Sequence, residues 1–222
     1  MHTHFDIFIE DISGECLTDI VMRKILPKEG FTYTINHYKG CGKLPENQST
    51  ALDIRTKTLL NNVPRLIDGF INRYRNLQDY RVVFVIVTDN DNRNCSDFKS
   101  QILHSINGQS LIPLEEIIVC LAIEEMEAWL LGDFEAIKSA YPNANRREYS
   151  TYVQDSICGT WEKLAKVIDE KFYKRKLMNA AFYIVGEKKS EWASNIAPYF
   201  SIDKNLSPSF NYFLRKIMSY VA

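Results

Sequence analysis

The chain has 222 residues, 45% of them hydrophobic and 25% charged, with a formal net charge of −1. These values fit one large globular domain, or a core domain with an appendage, and exclude binding to nucleic acid by bulk positive charge. Five scattered cysteines with no CxxC pair fit free thiols better than a disulfide framework or a zinc site, and no apolar run approaches the ~20 residues of a membrane-spanning helix.

The N-terminal MHTHFDIFIED has no basic segment ahead of an apolar one, so no signal peptide is expected and the chain is read as cytoplasmic, with no membrane partner. Residues 5–9 predict a first strand that ends at Glu10. In residues 11–26, Leu17, Ile20, Val21, Ile25 and Leu26 have helical spacing, with Ser13 as the expected N-cap and Pro27 as the stop. FTYTINHY (31–38) is β-branched and aromatic and predicts a second strand, followed by a loop, KGCGKLPENQS (39–49). From 50 to 77 apolar residues recur every three to four positions, which predicts a long amphipathic helix bent near Pro64. A third strand (81–88), a helix (96–105), a fourth strand (116–123) and a helix (124–141) follow. Alternation of this kind, with continuously apolar strands, predicts a parallel sheet covered on both faces. Residues 143–160 read as a polar connection, and 161–172, 177–200 and 208–221 as helices, the last starting at Pro208 after Ser207.

Ligands of parallel sheets gather at the C-terminal strand ends. Three predicted strands end there in acid: the first at Glu10, the third at Asp89 and Asp91, the fourth at Glu124, Glu125 and Glu127. Converging carboxylates repel one another unless a cation joins them, and hard divalent ions prefer oxygen ligands, so Mg²⁺ or Mn²⁺ is expected. In extended chain Asp89 and Asp91 would point to the same side. Each acid also has a plainer reading. Asp and Asn cap turns after strands, and acids at a helix start are favoured by its dipole. A calcium loop is excluded, because Arg93, Asn94 and Ser100 stand where it needs an oxygen ligand, a glycine and a bidentate glutamate.

At Glu10 and Asp89-Asn90-Asp91 the chain resembles the TOPRIM-type catalytic domain of topoisomerases, primases and OLD-type nucleases. Residues 9–15 (IEDISGE), 39–44 (KGCGKL), 87–93 (VTDNDNR), 124–133 (EEMEAWLLGD) and 207–210 (SPSF) make it similar to small bacterial TOPRIM-like proteins encoded beside ABC-type ATPases in anti-phage defence operons. The resemblance spans nearly the whole chain. It departs at Asp11, where TOPRIM proteins usually carry glycine. The resemblance implies an α/β, TOPRIM-like (Rossmann-like) parallel sheet over residues 1–141, with a helical C-terminal extension, 142–222, packed on it.

It also implies metal-dependent hydrolysis of nucleic-acid phosphodiester bonds with one or two Mg²⁺ or Mn²⁺ ions, and an ABC/AAA-type ATPase partner. Asp89 and Asp91 would be metal ligands, Glu10 a ligand or the general acid/base, and Glu125 and Glu127 further ligands. Arg93 and Lys43 are the candidate cations for the scissile phosphate, and Lys188 and Lys189 weaker ones; the plainer reading of each is a solvated surface. Residues 160–191 carry eight lysines and arginines against five acids, interleaved with aromatics. The plainer reading there is core aromatics beneath a solvated charged face. The competing expectation for function is a non-catalytic TOPRIM-like binding subunit of an ATPase complex. Self-association into a homo-oligomer is compatible with either.

Overall fold

The structure, a computed structural model, describes residues 1–45, 57–74, 76, 79–107 and 116–221. Four strands, β1 (His2–Ile9), β2 (Phe31–His37), β3 (Tyr80–Asp89) and β4 (Ile117–Ala122), form one sheet in the order β2-β1-β3-β4, and every neighbouring pair is parallel. The protein is an α/β fold of Rossmann-like type. After β1 the chain moves outward to β2, then crosses back over β1 to β3, so the winding reverses between β1 and β3. That reversal opens a crevice at their C-terminal ends. Ile9 pairs with Val87, so the two strands run out side by side.

Strand residues alternate between two cores. Phe5, Ile7, Ile9, Val83, Val85 and Val87 face α1 (Ile12–Ile25); Phe8, Phe84 and Ile86 face α2 (Leu59–Tyr74) and α3 (Cys95–Asn107). α2 carries Pro64 within it, and the positions expected at 46–56, 75 and 77 lie outside the described residues. The remaining helices are α4 (Glu127–Leu131), α5 (Phe134–Ala140), α6 (Arg146–Tyr149), α7 (Thr160–Phe172), α8 (Phe182–Ile196) and α9 (Pro208–Met218). Leu164, Trp192, Ile196, Phe210 and Phe213 from this C-terminal part share one continuous core with the α1 face of the sheet. Residues 142–222 thus complete that side of the sandwich.

Three expectations are corrected. The helix read over 124–141 is two helices, α4 and α5, broken at Gly132-Asp133. A Cβ at Gly132 would sit 2.1 Å from Asn205 Oδ1, and Asp133 caps α5 by accepting Ala136 N–H at 3.0 Å while it also accepts Ser201 N–H at 2.8 Å. The N-cap of α1 is Asp11, not Ser13: its Oδ1 accepts Gly14 N–H and Ser13 Oγ–H, each at 2.8 Å. The helix read over 177–200 begins only at Phe182, because the chain first makes a π-helical turn over Tyr173–Leu177.

The quoted segments EEMEAWLLGD and SPSF meet each other. Trp129 Nε1–H donates to Ser209 Oγ at 3.0 Å, and the Trp129 carbonyl accepts Asn205 Nδ2–H at 2.8 Å. Asp155 accepts Ser207 Oγ–H at 2.7 Å and Ser209 N–H at 2.6 Å. The Trp129 bonds tie the start of α9 to α4, and the Asp155 bonds tie it to the segment before α7.

Candidate active site

The Glu10 side chain, just after β1, reaches across to the end of β3. Glu10 Oε2 accepts the backbone N–H of Asp89 at 2.9 Å and the Thr88 hydroxyl at 2.8 Å. Asp89 is 7% exposed, and among the described residues no donor is bonded to its carboxylate. Burial, followed by the charge of Glu10, pushes the Asp89 carboxyl well above the usual range. Burial also raises Glu10, against the opposing bonds from Asp89 N–H and Thr88.

The three glutamates after β4 do different work. Glu124 accepts the N–H groups of Cys158, Gly159 and Thr160 at 2.9–3.0 Å, together with the Thr160 hydroxyl, and so caps α7. Glu125 accepts Trp161 N–H at 3.1 Å. Both answer to a helix start, but to that of α7 rather than of their own segment. Glu127 is fully buried and turns toward the rim. Its Oε2 is 3.0 Å from Lys189 Nζ, and its Oε1 has no hydrogen-bond partner among the described residues. Burial pushes Glu127 up to about 7.

Lys189 is the centre of this arrangement. It comes from α8, reaches Glu127 at 3.0 Å and Glu125 at 3.6 Å, and its side chain is 14% exposed. Burial alone would lower its pKa, but Glu127, Asp89 and Glu125 outweigh it and raise the ammonium well above the usual lysine value. Glu125 and Glu127 thus share this one ammonium, and Asp89 and Asp11 lie within its field. The sequence singles Lys189 out only weakly. Its one legible sign is its place on the inward stripe of α8, with Val185, Trp192, Ala193 and Ile196, where apolar residues are expected.

The DNDNR loop departs from the extended course that would aim Asp89 and Asp91 alike. β3 stops at Asp89, and Asp91 takes a left-handed conformation (φ +50°) while its N–H donates to the Glu124 carbonyl at 2.9 Å. Asp91 is half exposed and pairs with Arg93 at 2.8 Å. The Arg93 guanidinium lies 4.5 Å over the Phe98 ring and 3.8 Å from Cys41 Sγ, which in turn is 3.3 Å from Thr88 Oγ1. Arg93 therefore stands on the Glu10 side of the rim. The Lys43 N–H donates to Asn61 Oδ1 at 3.0 Å, and its side chain is exposed, with no ion pair among the described residues. Beside the rim, at the end of β2, a cleft of about 470 Å³ is lined by His37, Lys39, Lys57 and Arg65. The main chain joins the two, since Gly40 N–H donates to the Glu10 carbonyl at 3.0 Å.

Among the described residues no group of three His, Cys, Asp or Glu side chains stands in ready-made metal-ligand geometry. The donor set nonetheless suits a hard divalent ion: it offers carboxylate oxygens, among them the buried Glu127 Oε1, which has no hydrogen-bond partner among the described residues. Among the described residues no helix is long and apolar enough to cross a membrane. A family model described as a domain of unknown function (DUF4276) matches residues 9–218. No curated protein and no solved structure matches the chain.

Proposed function

The chain belongs to the DUF4276 family, and from the acids at its sheet edge we propose that it is a Mg²⁺- or Mn²⁺-dependent nuclease that hydrolyses phosphodiester bonds. The observation that carries this reading is the Glu10–Asp89 contact at the winding reversal. The Glu10 carboxylate, from the end of β1, accepts the backbone N–H of Asp89 at the end of β3 at 2.9 Å, which sets two acids 79 residues apart in sequence at one edge of the sheet. A carboxyl this little exposed is costly to ionise, and a bound cation would offset that cost.

Glu10 and Asp89 would hold the ion, with Asp91 at the outer edge. When bound, the ion supplies a polarised water and charge stabilisation for the phosphate oxygens. Lys189 supplies a fixed positive charge on the Glu125 and Glu127 side, where a second ion would otherwise be wanted, so one ion with one ammonium is the stoichiometry proposed. Arg93, stacked on Phe98, presents a positioned guanidinium on the other side for a substrate phosphate. Alternatively, with Asp89 and Asp91 alone holding the ion, Glu10 would be the general acid/base that exchanges a proton with water. The basic cleft of Lys39, Lys57 and Arg65 offers the local attraction for a polyanion that the net charge of −1 denies to the molecule as a whole. An ABC-type ATPase partner and a role in anti-phage defence, both implied by the resemblance to TOPRIM-like proteins, belong to the same proposal.

A second reading is favoured by Lys189 itself: an ammonium already seated among the acids fits a binding subunit that performs no chemistry. The two separate on incubation with plasmid DNA and RNA in Mg²⁺ or Mn²⁺. The nuclease reading expects cleavage by the wild type, alone or with its ATPase partner, and a loss of at least about a hundredfold in Asp89→Ala with the circular dichroism spectrum intact. No cleavage under any of these conditions would leave the binding subunit.

A further inference from the structure

We propose that the first turn of α8 is a stacking platform for an unpaired base, so that the molecule held at the rim is single-stranded nucleic acid lying along α8 toward Lys189. The inward stripe of α8 runs through Val185, Lys189, Trp192, Ala193 and Ile196, and its apolar members are buried. One turn before Val185 the same stripe reaches Phe182, and Gly186, one turn before Lys189, stands at its edge. There it meets no protein among the described residues: Phe182 is 96% exposed, and nothing lies within 4 Å of where a Cβ on Gly186 would stand.

Both residues work against stability at these positions. A fully exposed phenyl ring forgoes burial, and glycine inside a helix is poorer than alanine unless close packing demands it. No close packing demands Gly186. Together they leave open space beside an aromatic ring, one turn before the position of Lys189. Phe182 and Lys189 are seven residues apart, two turns and about 10 Å along the axis on nearly the same face, a reach of a nucleotide or two.

The surroundings fit a nucleic-acid strand. Tyr183 is 71% exposed beside Phe182. The preceding π-helical turn presents Lys174, Arg175 and Lys176 to solvent, and among the described residues Arg175 and Lys176 make no ion pair. Exposed rings flanked by cations bind strands whose bases are free to stack, while duplex bases already stack on one another. What lies at the far end of the path rests on the nuclease reading; the platform itself is read from α8.

The test is fluorescence anisotropy of the full chain with a labelled oligothymidylate and with a duplex of equal length, in EDTA so that nothing is cut. Wild type is expected to prefer the single strand. Phe182→Ala with Tyr183→Ala should weaken single-strand binding about tenfold or more while duplex binding stays within twofold. Gly186→Trp should weaken it similarly by filling that space. Phe182→Trp should retain affinity, and its emission should be quenched by the single strand but not by the duplex or by heparin. The platform is overturned if wild type shows no single-strand preference, if the double substitution changes single-strand affinity less than twofold, or if the new tryptophan is not quenched. It is also overturned if the rings serve self-association, seen as a wild-type oligomer that the double substitution dissociates with oligonucleotide affinity unchanged. Phe182-dependent binding without hydrolysis in Mg²⁺ would remove the nuclease reading and leave the platform. Hydrolysis by a double variant of unchanged affinity would do the reverse.

Discussion

Lys189 shows how a single residue is decided by context. Its position in the sequence, in a run of charged residues, looks like solvated surface, yet it is buried among acids because α8 lies along α1 and points it at the rim. That placement depends on long-range packing, which no local spacing encodes. Glu10 and Asp89 were legible because a parallel sheet delivers its strand ends to one edge whatever else the chain does. Asp91 was less so: Asn90 is buried with its Nδ2–H on the Arg93 carbonyl at 2.6 Å, and the turn this makes replaces the extended course. Asp11 and Glu124 are acids whose work is structural, and nothing in their spacing separated them from ligands. Removing the ammonium alone should be costly. Lys189→Met is expected to lower unfolding free energy by about 3–5 kcal/mol in urea titration, because Glu127 and Asp89 remain buried without their cation. Adding Glu127→Gln should recover part of the loss, and equal stability of the single and double variants would mean that the pair is not coupled.

Among the elements, the strands and α1 follow from apolar runs and periodicity. The break between α4 and α5 does not, because it is made by Asn205 and Ser201, about 70 residues away, acting on Gly132 and Asp133. The start of α7 is similarly remote from its cap. Gly159 supplies a left-handed residue there but no side chain, so Glu124 does the capping. Glu124→Ala is expected to cost about 1–3 kcal/mol in thermal or urea unfolding, since it leaves several N–H groups without an acceptor. Burial pushes the Glu124 carboxyl up, but the Thr160 hydroxyl and the three N–H groups outweigh it and hold it below the ordinary glutamate value of 4.5. The folded state therefore binds this proton less tightly than the unfolded one. The contribution of Glu124 is present above pH 4.5 and is lost as the pH falls through the lower folded value. Glu124→Gln should flatten that part of the stability–pH curve, and an unchanged curve would show that the cap does not titrate.

At the scale of the whole molecule, the alternating order of elements made the parallel sheet legible, and the continuous apolar strands made its two covered faces legible. The place of the C-terminal helices was harder to see. They share one core with the α1 face, and they also deliver Lys189 to acids that come from β1, β3 and the segment after β4. The rim is therefore a property of the entire chain, and the proposed catalytic centre stands on its capacity to take a divalent ion beside that lysine. Calorimetric titration of the full chain with Mn²⁺ tests this most directly. One ion per chain is expected, with affinity at least tenfold weaker in Asp89→Asn at unchanged fold; no binding heat in the wild type, or equal affinity in the two proteins, would contradict it.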